Sequence, residues 1–178
     1  MRLLATLSGL ALTAIVAVGA SAQNRPDFSG RWTIAPAPGG ESGRGAGGRA
    51  GDMGSGWGST ITISQSASAL TVEWAYYSTS DMQTPLLFVY PLDGSEKTNT
   101  LMLGRGFEKQ VSRTAWDGVR LVITTTQDFP NLVAGQTVKS VVTRTLTLES
   151  PASLIVETTR NGVLGAKAST TRTVYTKG

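Results

Sequence analysis

The sequence predicts an all-β protein, an antiparallel up-and-down β-barrel of about 8–10 strands. Hydrophobic and polar residues alternate with few interruptions from Ser59 to the end of the chain, in runs rich in Thr, Val and Ile. Asp-Gly and Asn-Gly pairs, which are typical of tight hairpins, separate several of these runs. Short hairpins make neighbouring strands antiparallel. Closing a long meander removes its exposed edges, which favours a barrel over the alternative, a β-sandwich.

The first segment, residues 1–22, is predicted to be a signal peptide. Arg2 precedes an apolar or small run at 3–19, and 20–22 is the Ala-Ser-Ala pattern that signal peptidases accept. The alternative is a membrane anchor, but a run of about 17 residues is shorter than the roughly 20 that span a bilayer. We expect cleavage before Gln23, export to the periplasm or outside the cell, and no integral membrane segment in the mature chain.

Residues 23–178 are predicted to form one barrel domain. The first strand is Arg31-Trp32-Thr33-Ile34, because Trp32 and Ile34 alternate with polar neighbours. A Gly-rich flexible loop is predicted at 36–58, since ten of the twenty residues from 39 to 58 are glycine.

The rest of the domain reads as strands joined by short turns. Three turns carry residues suited to positive φ, namely Asp93-Gly94, Asp117-Gly118 and Asn161-Gly162. The predicted strands are 59–65, 69–77, 86–92, 98–104, 109–116, 119–126, 137–149, 153–160 and 169–176.

The composition excludes several kinds of chemistry. The chain has no His and no Cys, so it cannot build a Ser-His-Asp triad, a Cys nucleophile, a disulfide framework or a thiolate or imidazole metal site. The net charge of +4 is mild, and the arginine–glycine tract at 43–51 is brief. We expect no nucleic-acid partner, no cofactor and no metal.

Alternation also predicts which side chains face the barrel interior. Apolar residues define the inner face on four strands: Ile61, Ile63, Leu70, Val72, Trp74, Tyr76, Leu121, Ile123, Val138, Val142, Leu146 and Leu148. Arg144 lies between two of these on its strand, and Arg172 shares the parity of Val174. Both arginines are therefore predicted to face inward.

The two arginines are candidate ligand-binding residues. The strand carboxylates Glu73, Glu149 and Glu157 are predicted to face outward, which leaves two buried cations without internal partners. A water-filled cavity around the arginines would make this arrangement reasonable. A ligand anion would do so too by completing the pair, since guanidinium binds a carboxylate in a two-pronged contact. Side chains expected to line the chamber are Trp74, Tyr76 and Ile123.

Structural interpretations of both arginines stay open. A β-bulge within 137–149 would turn Arg144 outward. Arg172 could instead lie across the face of Trp32 and close the barrel end by a cation–π contact.

Phe28-Ser29-Gly30-Arg31-Trp32 resembles the Gly-x-Trp opening of calycins, the superfamily of lipocalins and fatty-acid-binding proteins. Residues 115–118, 142–146 and 171–175 are similar, in order, to the last strands of fatty-acid-binding proteins. The resemblance implies a lipocalin-like barrel with structural roles for Gly30 and Trp32. It also implies a carboxylate held by Arg144, Arg172 and a nearby Tyr. Tyr175 is three residues from Arg172, which on a regular strand places it on the opposite, outer face.

The sequence pattern and the resemblance leave three kinds of function open. The leading hypothesis is an exported small-molecule carrier or sensor for a hydrophobic, fatty-acid-like ligand with an anionic head. The alternative is a filled barrel that serves as a structural or protein-interaction module without ligand. An enzyme is the third, but a glycosidase needs two carboxyl groups about 5–10 Å apart, and the strand glutamates are predicted to face outward. We expect no enzymatic activity.

Overall fold

The computed structural model of the chain describes residues 25–35, 54–75, 84–103, 106–131, 136–162 and 167–178. Every regular element within these ranges is a β-strand. The described part contains no helix of the length and apolarity needed to cross a membrane. The predicted signal peptide, Tyr76 and positions 36–53 of the predicted loop lie outside the described residues.

Ten strands follow one another along the chain, as the alternation predicted. The strand β9 has the predicted bounds, and the other strands differ from prediction at their ends. The strands are β1 (Gly30–Ile34), β2 (Thr60–Gln65), β3 (Ala69–Trp74), β4 (Leu86–Pro91), β5 (Lys97–Leu103), β6 (Gly106–Asp117), β7 (Arg120–Asn131), β8 (Gln136–Ser150), β9 (Ser153–Arg160) and β10 (Ser169–Lys177).

The strands form one antiparallel sheet in the order β4-β3-β2-β1-β10-β9-β8-β7-β6-β5. Strands that are neighbours in sequence pair with one another except β4 and β5, and β1 pairs with β10, which joins the two ends of the meander. Among the described strands, β4 and β5 share no backbone ladder. The molecule is therefore a nearly closed up-and-down barrel, so the predicted fold class is confirmed and the sandwich alternative is wrong.

Side chains hold the seam between β4 and β5 together. The buried amide of Asn99 on β5 accepts a hydrogen bond from the Val89 N–H at 2.9 Å and donates one to the Val89 carbonyl at 3.1 Å. The Thr114 hydroxyl on β6 donates to the Pro91 carbonyl. An amide side chain can pair with a strand because it offers one acceptor and one donor group, as a peptide unit does.

One end of the barrel is closed by the segment that precedes β1. Phe28 is fully buried and its ring stacks on Trp116 with centroids 6.2 Å apart. The Trp32 indole N–H donates to the Phe28 carbonyl at 2.9 Å. The Gln65 side chain, at the end of β2, accepts from the Phe28 N–H at 3.1 Å. These contacts fix the chain entering β1 across the end of the core.

The interior is apolar near this closed end and includes small polar side chains on the walls of β6 to β9. The fully buried large residues are Phe28, Trp32, Trp57, Ile61, Ile63, Leu70, Tyr90, Leu121, Ile123, Leu146, Leu154 and Tyr175. Ser112, Thr125 and Thr158 are also buried, and the Ser112 and Thr125 hydroxyls lie 2.9 Å apart. A cation on this part of the wall is thus surrounded by protein rather than by water.

Candidate functional site

Arg144 projects from the inner face of β8. It lies between buried Val142 and Leu146, and its side chain is only 6% exposed. The register shift that marks a bulge in β8 falls between Leu148 and Ser150, beyond Arg144. The predicted inward orientation of Arg144 is therefore confirmed, and the alternative in which a bulge turns it outward is wrong.

The Arg144 guanidinium contacts backbone and an aromatic ring. Its Nε–H donates to the Ser55 carbonyl at 2.6 Å, and its Cζ lies 5.1 Å from the centre of the Trp57 ring. Its Nη1 is buried and has no hydrogen-bond partner among the described residues. Thr158, which lies directly opposite on β9, is fully buried and its hydroxyl also has no partner. Two donors on neighbouring strands thus remain unused inside the barrel.

The positive charge of Arg144 is not balanced by a negative charge among the described residues. None of the salt bridges among the described residues involves Arg144. Desolvation lowers the pKa of the Arg144 guanidinium below its ordinary value, while Tyr90 and Tyr175 act in the opposite direction. Arg keeps its proton in proteins because its pKa starts so high. The interior therefore holds a cation that no carboxylate of the described chain neutralises.

The partners of Arg144 come from residues 54–58, Gly-Ser-Gly-Trp-Gly, which we call the inner loop. Ser55 and Trp57 are buried, although both lie within the Gly-rich stretch 36–58 that was predicted to be a flexible loop. Gly54, Gly56 and Gly58 have φ angles of +52°, +77° and +82°, a region that residues with a Cβ rarely adopt. Glycine at every second position lets the chain curl so that both side chains between point into the barrel.

Four strands hold the inner loop in place. The Tyr175 hydroxyl on β10 lies 2.5 Å from the Ser55 hydroxyl and donates to the Gly58 carbonyl at 2.8 Å. The Trp57 indole N–H donates to the Tyr90 hydroxyl on β4 at 3.3 Å. Arg160, at the end of β9, donates to the Gly54 carbonyl at 2.7 Å. Together with Arg144 on β8, these contacts make the loop part of the core.

Close packing also explains why positions 56 and 58 of the inner loop are glycine. A Cβ at position 56 would lie 2.8 Å from Nη2 of Arg144, closer than real Cβ contacts allow. A Cβ at position 58 would collide with the Trp74 indole. The alternation of glycine with Ser55 and Trp57 was the available signal for this loop, but its meaning depends on side chains far away in sequence.

The other predicted site residues lie on three strands: the chamber residues Ile123 and Trp74 on β7 and β3, and the structural residues Gly30 and Trp32 on β1. Ile123 is fully buried directly opposite Arg144 on β7. Trp74 is partly buried and packs against the core beside Gly58. Gly30 and Trp32 lie on β1, where Trp32 is fully buried near the closed end.

The predicted inward orientation of Arg172 is wrong. Its side chain is 51% exposed and its Nη2 lies 3.6 Å from a carboxylate oxygen of Glu149 on the outer surface. On β10 the buried residues are Thr173 and Tyr175, so the parity is the reverse of the prediction, and Tyr175 faces inward. The prediction failed because it took Val174 as the inner residue, whereas the inner face of β10 includes a threonine and Val174 faces outward.

The cation above the Trp32 ring is Lys177, whose Nζ lies 5.3 Å from the ring centre. The alternative in which Arg172 covers Trp32 is thus also wrong. Glu73, Glu149 and Glu157 are exposed, as their parity predicted.

An outer groove of about 490 Å³ crosses strands β1 to β3. Arg31, Thr62, Glu73 and Trp74 are among its lining residues, together with Gly58 of the inner loop. Arg144 is not among them, so the groove meets the interior site at the inner loop and not at the guanidinium.

We expect stability to fall at high pH because of Tyr175. Burial raises the pKa of Tyr175 to about 12 from 10.0, against the smaller opposing effects of its Ser55 hydrogen bond and the Arg144 charge. Between pH 10 and 12 the unfolded chain loses a proton that the folded chain keeps, so the free energy of unfolding decreases by roughly 2–3 kcal/mol. Below pH 10 the group has no such effect. Burial also raises the pKa of Tyr90, which adds to the loss.

Urea unfolding from pH 8 to 12 measures this dependence. Tyr175→Phe removes the titrating group and should flatten part of the decrease above pH 10. Equal slopes in wild type and Tyr175→Phe would contradict the assignment. The pH 8–9 points serve as an internal control, since neither form should change there.

No protein-family model matches the chain, and no curated protein matches it either. The described part of the chain defines a class by its fold and site: an antiparallel ten-stranded barrel whose interior holds an arginine, Arg144, with no salt-bridge partner among the described residues. Its architecture is compatible with a calycin-like fold.

Proposed function

We propose that this protein is an exported small-molecule-binding barrel whose ligand places an anionic group on Arg144. The single observation that carries the proposal is the burial of the Arg144 side chain without a carboxylate partner among the described residues. Arg144 is 6% exposed, has an unpartnered Nη1, and forms no salt bridge with any carboxylate in the described ranges. Burying a charge without a counter-charge is unfavourable by several kcal/mol. A ligand anion would supply that counter-charge.

The resemblance to calycins supports the same function. In this proposal the chain is a calycin that has retained the arginine corresponding to Arg144 and a tyrosine, Tyr175, on the last strand. Arg172 takes no part, because it lies on the outer surface. Export through the predicted leader at 1–22 would place the protein in the periplasm or outside the cell, and binding rather than catalysis would be its activity.

The filled barrel remains a second candidate function. Trp57 supports it, since its fully buried indole occupies the interior beside Arg144. An apolar dye distinguishes the two candidates. A structural module with a complete core takes up no dye, whereas a binding barrel takes up the dye and releases it when its ligand competes.

The proposal is tested by titrating the purified full chain with a fluorescent fatty-acid analogue. Arg144→Ala should weaken binding by about 1.5–3 kcal/mol, the scale of a hydrogen bond to a charged group. Arg172→Ala is the matched control, because it removes the same charge from the outer surface and should leave the affinity unchanged. Circular dichroism checks that both variants fold.

Equal affinity of Arg144→Ala and wild type would contradict the role of Arg144. Failure of a folded sample to bind any lipophilic anion would contradict the carrier function as a whole.

A further inference from the structure

The inner loop makes, on Arg144, two kinds of contact that a ligand would make. A carbonyl oxygen, from Ser55, accepts from Nε at 2.6 Å. An aromatic ring, from Trp57, lies 5.1 Å from the same guanidinium. Both come from one short segment of chain, so the arginine already holds an oxygen acceptor and a flat ring side by side.

The space around the Trp57 ring is shaped for an aromatic group. The Tyr90 ring lies 6.0 Å away at an angle of 47°, and the Tyr90 hydroxyl accepts from the indole N–H. Phe88 stacks on Tyr90 with ring centres 6.4 Å apart. Tilted rings and a cation above a ring face are favourable aromatic geometries. A flexible alkyl chain in this space would lose the cation–π contact.

The loop satisfies Arg144 incompletely. Its carbonyl is a neutral acceptor, and Nη1 stays without a partner. A carboxylate carries full charge and two oxygens, so it can accept from two guanidinium N–H groups at once and neutralise the buried charge, which a single neutral carbonyl cannot do. Three glycines at 54, 56 and 58 also make the loop costly to hold in order, because glycine loses more conformational freedom than other residues. A carboxylate ligand can therefore compete with the loop.

We propose that the inner loop occupies the ligand site, and that the natural ligand is a planar aromatic carboxylate that displaces it. The ligand ring takes the position of Trp57, and its carboxylate takes the position of the Ser55 carbonyl on Arg144. This inference rests on the proposed function and narrows its ligand class from fatty-acid-like to aromatic anions.

The test compares 2-naphthoate, its uncharged amide and decanoate by calorimetry with the full chain. We expect 2-naphthoate to bind at least about tenfold more tightly than either of the others, since one lacks the charge and the other the ring. Gly56→Ala should raise 2-naphthoate affinity by about tenfold or more, because its Cβ, 2.8 Å from Nη2 of Arg144, forces the loop and the guanidinium apart and leaves the site open in a larger fraction of molecules.

Gly118→Ala is the matched control. It also places a Cβ at positive φ, +61°, but nothing lies within 4 Å of that Cβ. It should carry a similar backbone strain and leave affinity unchanged. A second readout needs no substitution: acrylamide quenching of tryptophan fluorescence should increase when 2-naphthoate binds, as Trp57 leaves the core. The increase in quenching should be absent in Trp57→Phe, which assigns it to Trp57.

The outcomes separate this inference from the proposed function. Decanoate binding as tightly as 2-naphthoate would overturn the aromatic ligand class. Unchanged quenching on binding, or unchanged affinity in a folded Gly56→Ala, would overturn displacement of the loop. In each case, binding that still depends on Arg144 would leave the proposed function standing. Absence of binding by all probes in all folded variants would overturn both.

Discussion

Replacing Trp32 with alanine is expected to lower the free energy of unfolding by about 3–5 kcal/mol, the usual loss for a buried tryptophan. Trp32 is fully buried, its indole N–H donates to the Phe28 carbonyl, and it lies opposite Ile61 on β2. The substitution leaves a large cavity and an unpaired carbonyl where β1 joins the closed end. Such a loss is a large share of the roughly 5–15 kcal/mol that stabilises a typical domain.

Urea unfolding measures this effect, with two comparisons. Trp32→Phe keeps a ring and loses the hydrogen bond, so its loss should be smaller. Phe107→Ala removes another aromatic ring from a strand, but Phe107 is 76% exposed and its loss should stay within about 0.5 kcal/mol. If Trp32→Ala were no more damaging than Phe107→Ala, the assignment of Trp32 to the core would be wrong.

Replacing Arg144 with methionine is expected to separate stability from binding. Methionine is shorter than arginine but likewise unbranched, and it carries no charge, so it removes the desolvation of a buried cation, which can exceed the attraction gained. The Ser55 carbonyl loses its donor, at about 1–3 kcal/mol, which offsets part of that gain. We expect a free energy of unfolding within about 1 kcal/mol of wild type or higher, together with at least about tenfold weaker binding of an anionic probe.

A neighbouring residue gives the contrast for this prediction. Leu146→Ala removes a fully buried apolar side chain from the same face of β8 and should cost about 2–5 kcal/mol. Arg144→Met behaving like Leu146→Ala, with a loss above about 3 kcal/mol, would show that Arg144 is kept for stability. If Arg144→Met keeps the stability of wild type but loses binding, the wild-type arginine serves the ligand and not the fold.

The sequence by itself determined the strands, the two Asp-Gly turns and the inward orientation of Arg144. Alternation within 153–160 is a local property, because successive side chains on a strand point to opposite faces. Asp-Gly pairs mark turns equally locally, as Gly94 and Gly118 at positive φ show. Arg144 could be placed inward because buried apolar residues flank it on its own strand.

Only the tertiary structure decided what fills the barrel. Alternation divides a strand into two faces but does not say which one is inside, and on β10 the polar Thr173 and outward Val174 reversed the answer for Arg172 and Tyr175. The inner loop was equally out of reach, since Ser55 meets Arg144 across 89 positions of chain. Contacts of that range depend on how ten strands close around one another, which no local pattern of residues records.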